Sequence, residues 1–518
     1  MLKFISNSWL VLFLTASPLL AEVQLASPFT SHMVLQRDLP VPVWGTADAG
    51  EAVTVEFAGQ NVSAMADANG HWRVTLRPMP ASAEPRELLV RGNRSSAIGR
   101  LKCDDVLVGE VWLASGQSNM DFSMSKKVKY FAGVANEEAE IAAANYPLIR
   151  VFTGEAQKTY APTNRVGGEW KICTSANAPA FSAVAYCFAR DLQKEIKVPV
   201  GIITLAFGAS TAEAWIRREA LAADPKLKPL LDRFDGAVEK FRINPPPVVA
   251  PPRSEDVNAT NAAPAGRRRS SGPRDPVQDQ HNATVLFNGM VAPVIPFAMR
   301  GAIWYQGESI VDANKGGIDL YPRVQATLIR DWRKLWGEGE FPFYLVQLAG
   351  QEAASNSPLV REAQATALRL PHTGMAVATD IGERKNVHPH NKQDVGDRLA
   401  RLARANVYGQ KIEFSGPVYE AMKIEGQAIR VNFSHADGLV ARDGTLKWFS
   451  LAGADGKFVS ADAQIDGQSV IVSSPGISAP VAVRSAWVNF PEGGHLYNAA
   501  GLPAAQFRTD APKFELQD

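Results

Sequence analysis

Apolar positions change their spacing three times along the chain. From about residue 23 to 105 they alternate with polar ones in short runs, "MVLQRDLPVPVWGTADAGEAVTVEFAG", "NGHWRVTLRPMP" and "RELLVRG", broken at Asp-Ala-Gly and Ala-Asn-Gly corners. Alternation with a period of two puts one face of each strand in a core and the other in water, so residues 22–104 are expected to form a small antiparallel β-sandwich. From about 105 the apolar runs become continuous: "DVLVGEVWLAS" (105–115), "VGIITLAFG" (200–208), "MRGAIWYQG" (299–307), "FYLVQLAG" (343–350) and "GMAVATDIG" (374–382). Strands buried on both faces read this way. Helical stretches separate them, such as "FSAVAYCFARDLQKEI" (181–196) and "NKQDVGDRLARLARANVYG" (391–409), where Val395, Leu399 and Leu402 recur at helical spacing and Gly409 marks a stop. Buried strands alternating with helices predict an α/β domain over 105–411 built on a doubly wound parallel sheet, whose ligands gather at the carboxyl ends of the strands. After about 412 short strands return, "AIRVNFSH", "LKWFSLAGADGKFVSADAQIDGQSVIVSS" and "VAVRSAWVNF", predicting a third, β-rich unit over 412–518.

Two segments fall outside these patterns. "MLKFISNSWLVLFLTASPLLA" has one lysine, an apolar stretch and a small residue at Ala21, the layout of a secretory signal peptide over 1–21 cleaved after Ala21. A periplasmic or secreted protein with no membrane attachment after cleavage is therefore expected. Residues 244–280, "NPPPVVAPPRSEDVNATNAAPAGRRRSSGPRDPVQDQ", bury too little apolar surface to offset ordering entropy and read as a solvated insertion in the catalytic domain.

Charge narrows the function. Lys+Arg of 54 against Asp+Glu of 53 leaves no global field to attract nucleic acid, so no nucleic-acid partner is expected and affinity must arise at a local site. Cys103, Cys173 and Cys187 show no metal-ligand spacing; in an oxidising compartment Cys173 and Cys187 can pair, and three buried thiols are the equal alternative. Neither a metal nor an organic cofactor is expected, and the sequence leaves the oligomeric state open.

The strand ends carry the candidate chemistry. Ser118 stands in "SGQSN", where Gly116 permits a sharp turn after a buried strand and the following backbone N–H groups can face a developing anion. Gly208, in "FGASTAEAW", ends the second such strand, and without a Cβ its N–H can approach a substrate oxygen closely. Gln306, in "WYQGES", ends the third with an amide able to donate to the same oxygen. A serine hydroxyl needs a base, and His388 in "DIGERKNVHPHNKQDVG" lies past another strand end, with His390 two residues on. Trp112, Trp215, Trp304 and Tyr305 flank the motifs, and aromatic faces suit sugar rings.

"GQSNM", "WYQGES" and "VHPHNKQDVG", in this order, resemble the sialate O-acetylesterase group of SGNH-type hydrolases, which includes acetylesterases of plant polysaccharides. "HMVLQRDLPVPVWG", "HNATVLFNGMVAP" and "GGHLYNAAGLPAAQFRTD" extend the likeness over nearly the whole chain outside the insertion. The resemblance implies an SGNH-type three-layer αβα sheet flanked by β-rich domains. It implies Ser118 as nucleophile and His388 as general base and then acid. The N–H groups of Ser118 and Gly208 and the Gln306 amide would be oxyanion donors, and Gln117, Asn119, Trp304 and Glu308 substrate contacts. Related sequences usually have Gly-Gly-Thr where this chain has Gly208-Ala209-Ser210. They also tend to carry an aspartate shortly before the histidine, where this chain has Lys385-Asn386-Val387. The acid that orients His388 is therefore sought elsewhere: Asp380 first, as it ends its strand, then Glu383, Glu308 or the Asn386 amide; without one, a Ser-His dyad remains. The expected function is an exported serine carbohydrate O-acetylesterase working through an acetyl-enzyme. Its substrate would be an acetylated carbohydrate, either plant oligosaccharides of the xylan or xyloglucan kind or O-acetylated sialic acids. The alternative is a non-catalytic carbohydrate-binding protein on the same scaffold.

Overall fold

The computed structural model describes residues 22–94, 100–244, 274–310, 317–354, 356–442 and 444–514. The expected signal peptide and residues 245–273 of the insertion lie outside the described residues. At the centre is an eleven-stranded sheet whose continuous path has seven strands, four N-terminal strands joining off that path: β1 (Arg100–Gly116), β2 (Tyr146–Thr153), β3 (Trp170–Cys173), β4 (Val200–Ala206), β5 (Gly301–Tyr305), β6 (Phe343–Val346) and β7 (Thr373–Ala376). Their order is β3-β2-β4-β1-β5-β6-β7, and all pairs are parallel except β3 with β2. The chain leaves the central β1 first toward β2 and β4 and later toward β5 to β7, so the order reverses at β1. Such a switch point is where an open parallel sheet offers a crevice to ligands.

Helices α1 (Ala183–Ile196), α2 (Tyr321–Trp336) and α3 (Lys392–Asn406) form where the sequence predicts them or, for α2, where Val324, Leu328, Ile329 and Trp332 give one buried stripe. Trp112 of β1 meets Phe188 of α1 at 5.2 Å between ring centroids, and Trp304 of β5 meets Trp332 of α2 edge-on at 5.8 Å. The β4 and β5 runs are buried at every position, which explains their unbroken apolar text.

The structure redraws the first domain boundary. β1 is a single strand of 17 residues. Its first half pairs with Val34–Gln36 and Ser82–Gly92 of the N-terminal region, and its second half with β4 and β5. The boundary expected at 104/105 thus falls inside one strand, and Val34, Val53 and Leu107 share one core with Ile202 and Leu399. The C-terminal strands keep a core of their own around Ile429, Val431, Leu451, Val470 and Val483. Cys103, Cys173 and Cys187 are buried free thiols. Among the described residues no helix is long and apolar enough to cross a membrane.

Candidate active site

Register brings three distant motifs together. Gly116 at the end of β1 lies beside Ala206 of β4 on one side and Tyr305 of β5 on the other, so Ser118, Gly208 and Gln306 emerge from adjacent strand ends. Gly116 has φ of 140°, and a Cβ there would stand 2.1 Å from the Tyr305 carbonyl oxygen. Only glycine lets the chain turn at this point. A Cβ on Gly208 would lie 3.8 Å from Ser118 Cβ, which puts the Gly208 backbone against the candidate nucleophile. The N–H groups of Ser118 and Gly208 donate to no described group, and the Ser118 hydroxyl, on a residue 8% exposed, likewise has no partner there. Two unused donors beside a free hydroxyl match what a tetrahedral oxyanion requires. Ala209, where related sequences carry glycine, adopts a left-handed φ of 55°, so the loop keeps the glycine conformation at the expense of local strain.

Gln306 has a positioning part beside the oxyanion role expected of it. It is fully buried; Nε2 donates to the Ser210 carbonyl at 3.1 Å and Oε1 accepts from the Tyr321 hydroxyl at 3.0 Å. It therefore pins the loop that carries Gly208. Gln117 is also structural: Oε1 accepts from the N–H groups of Gly307 and Ser309, tying the serine turn to the end of β5. Trp304 is buried between Trp215 and Trp332, and Trp112, Trp215 and Tyr305 are buried as well, so none of these rings meets a substrate. The aromatic rings at the site are Phe131, 4.7 Å from the His388 ring, and its neighbour Tyr130, which is 93% exposed. They sit in a polar stretch with no strand or helix pattern, and the sequence reading passed over them.

His388 reaches the rim through a knotted connection between β7 and α3. Asn386 Oδ1 accepts from the His388 N–H at 3.0 Å, and its Nδ2 donates to the His388 carbonyl and to Glu383. Glu383 in turn accepts from His390 Nδ1 at 2.8 Å and from the His390 N–H at 2.7 Å. Asn119, next to Ser118, donates from Nδ2 to the Val387 carbonyl at 3.0 Å, joining the serine turn to the residue before His388. The same amide donates to Glu308 and accepts from the Lys392 ammonium at 2.5 Å.

Among the described residues no carboxylate bonds to the His388 ring. Asp380, ranked first as its acid, is instead held bidentately by Arg398, at 2.7 Å to each oxygen, and accepts from the Tyr497 hydroxyl at 2.9 Å. Glu383 serves His390, and Asn386 holds backbone. Glu308 bonds through Asn119, and its Oε2 has no partner among the described residues. Burial, with the positive charges of Lys392 and His390 adding to it, holds the His388 imidazole down to about 4. Burial pushes the Glu308 carboxyl up, against the bond from Asn119.

Two predictions arise here. If His388 is the base, it must be neutral to take a proton, so kcat/KM should fall only as pH drops through about 4, well below the ordinary histidine range. A limb near pH 6.5 contradicts the geometry. Asp380→Asn takes from the buried Arg398 its bidentate partner, leaving only Asp394 at 3.8 Å, and should cost about 3 kcal/mol in denaturant unfolding, while kcat per folded molecule stays within about threefold.

A cavity of about 310 Å³ opens beside the Asn119–Val387 tie, bounded by Glu308, Leu348, Gln351 and Ser357. A larger one of about 600 Å³ lies between β6, β7 and the C-terminal strands, against Phe414 and Tyr419, and touches none of the candidate residues.

Residues 280–405 match the family model described as "Carbohydrate esterase, sialic acid-specific acetylesterase". The rat sialate O-acetylesterase is 28% identical over 509 residues, covering 90% of each chain, and the human one 27% over 529 residues, covering 93% of this chain and 91% of that one. The crystal structure of a carbohydrate acetylesterase from Xanthomonas citri superposes with a TM-score of 0.78 at 35% identity, covering 94% of this chain and all of the other.

Proposed function

The chain belongs to the sialate O-acetylesterase-like family of carbohydrate esterases and is thereby a carboxylic ester hydrolase; from that premise we propose that it is an exported enzyme removing O-acetyl groups from neutral carbohydrates through a Ser118–His388 dyad. One observation carries this reading: the register at Gly116 sets Ser118 beside Gly208, each with an unused N–H, while Asn119 ties that turn to the His388 segment. In the reaction, the His388 imidazole takes the Ser118 hydroxyl proton as Oγ attacks the acetyl carbonyl. The N–H groups of Ser118 and Gly208 receive the oxyanion. His388 then gives the proton to the leaving sugar oxygen, and water, activated by the same imidazole, clears the acetyl group as acetate. A non-catalytic binder has no use for a free hydroxyl beside two open donors. The opposite-facing contacts of Trp112 with α1 and Trp304 with α2 support an SGNH-type three-layer αβα arrangement. The leader pattern of residues 1–21 supports export.

The choice of a neutral sugar follows from charge. Among the described residues lining the cavity beside the dyad, Glu308 is the one ionisable group; no lysine, arginine or histidine is there to meet a carboxylate. A sialic acid would bring its own carboxylate to a wall that offers no cation to meet it, whereas a neutral sugar brings only hydroxyls, with no charge to desolvate there. Acetate release from acetylated xylan or xyloglucan oligosaccharides and from O-acetylated sialic acid, compared on one preparation, tests this. The neutral substrates should lead by about tenfold or more in kcat/KM, and a preference for the sialic acid refutes the assignment.

A further inference from the structure

Lys392 is the first residue of α3, and its side chain is wholly buried. A cation in the first turn of a helix faces the positive end of the helix dipole, and removing an ammonium from water is costly unless it is partnered. The compensation comes from outside the helix. Lys392 Nζ donates to Asn119 Oδ1 at 2.5 Å and lies 4.5 Å from the centroid of the Phe122 ring and 5.5 Å from that of Tyr305. Asn119 and Phe122 belong to the segment that carries Ser118, Tyr305 ends β5, and Lys392 itself follows His388 by four residues. One side chain thus joins its own segment to two others that meet at the site.

The contact fixes the direction of an amide. Because Asn119 Oδ1 accepts from an ammonium, flipping the carboxamide would turn its NH2 toward Nζ and set donor against donor. Held as it is, Nδ2 points at Glu308 and at the carbonyl of Val387, the residue before His388. We propose that Lys392 is a positioning residue which, by orienting the Asn119 carboxamide, locks the His388 segment onto the Ser118 turn. The inference rests on Ser118 and His388 being nucleophile and base.

The charge has an effect of its own. Glu308 acts on Lys392 from the end of β5 and Glu383 from the connecting segment, where His388 and His390 also lie. Burial brings the ammonium down to about 7 against the pull of both carboxylates. While protonated, it opposes imidazolium formation on His388. After losing its proton the amine still has two N–H donors for Asn119 but gains a lone pair, so the amide direction then rests on the Glu308 and Val387 partners of Nδ2 while the repulsion ends.

Lys392→Met removes both donor and charge. Its kcat should fall about 100-fold with KM within about threefold, as expected for misplacement by about 1 Å, and the acid limb of kcat/KM should rise from near pH 4 toward the ordinary histidine range. Lys392→Gln keeps a donor for Asn119 without the charge, and it carries the test if the methionine variant does not fold. It should hold kcat within about tenfold of wild type while showing the same upward shift of the limb. In a double-mutant cycle, Asn119→Ala combined with Lys392→Met should lose no more than the worse single variant, since both break one linkage. Unchanged kcat and an unmoved limb in the Lys392 variants, or losses that multiply in the cycle, overturn the proposal. Ser118→Ala is assayed beside them: if it remains active the esterase dyad itself is wrong, whereas an inactive Ser118→Ala with indifferent Lys392 variants refutes only this inference.

Discussion

Replacing Ser118 with alanine is expected to lower kcat for acetate release by about 10⁴-fold or more, equivalent to about 5.4 kcal/mol of barrier. In the proposed reaction the hydroxyl is the atom that forms the covalent bond, beside the unused N–H groups of Ser118 and Gly208. Removing one oxygen from a turn whose hydroxyl bonds to no described residue costs the fold little, so the melting temperature should stay near that of the wild type. Substrate binding should survive too, because the substitution leaves the walls of the neighbouring cavity unaltered. The variant is therefore expected to bind the acetylated sugar and fail to cleave it, and a variant that turns over at more than about a tenth of the wild-type rate rules out Ser118 as nucleophile.

His388→Ala should be nearly as severe, with kcat reduced by about 10³-fold or more. The comparison with His390→Ala gives this prediction its force. His390 is half exposed and paired with Glu383, the kind of carboxylate partner a catalytic histidine would ordinarily have. His388 lacks such a partner and packs on Phe131. With His388 as the proposed base, on the segment that Asn119 ties to the Ser118 turn, His390→Ala should cost less than about tenfold, through loosening of the Glu383 clasp. Because His388 has no acid beside it, Asp380→Asn, Glu383→Gln and Asn386→Ala should each leave the acid limb of kcat/KM near pH 4 or shift it only slightly. A Ser-His-Asp triad would instead lose its base strength when the aspartate is removed.

The parts of this site that were legible in the sequence are those fixed by backbone topology. A buried strand ending in Gly116, a second ending before Gly208 and a third ending at Tyr305 must release their chains on one rim of a parallel sheet, whatever the side chains do. The same rule, applied to "MAVATD", places His388 near that rim. Side-chain partnership was not legible. Asp380 lies not at the end of its strand, which stops at Ala376, but in the short helical turn Thr379–Ile381 beyond it; there Arg398, 18 residues later on α3, takes both of its oxygens, and only the packing of that helix on β7 reveals it. Gln306, Gln117 and Trp304 flank the motifs in the text but point inward, because a strand fully buried on both faces has no side that is free for substrate.

Two further differences have readable causes. The expected boundary at 104/105 followed a change in pattern from alternating to continuous apolar residues; the structure shows that change occurring within β1 as it passes from a sheet with one wet face to a sheet covered on both. Lys392 was passed over although a signal existed: a lysine at the first position of a helix capped by Asn391 opposes the dipole and calls for a partner. That conflict between local preference and placement is the mark of a residue retained for the site rather than for the helix.

The account stands on Ser118 and His388 acting on one another. The most direct measurement is reaction with a fluorophosphonate followed by peptide mass analysis, on the wild-type protein and on His388→Ala. The structure predicts a single adduct on the peptide containing Ser118, with its formation slowed by about 10³-fold in the histidine variant. An esterase-active preparation that leaves Ser118 unmodified, or that labels Ser118 at the same rate without His388, contradicts it.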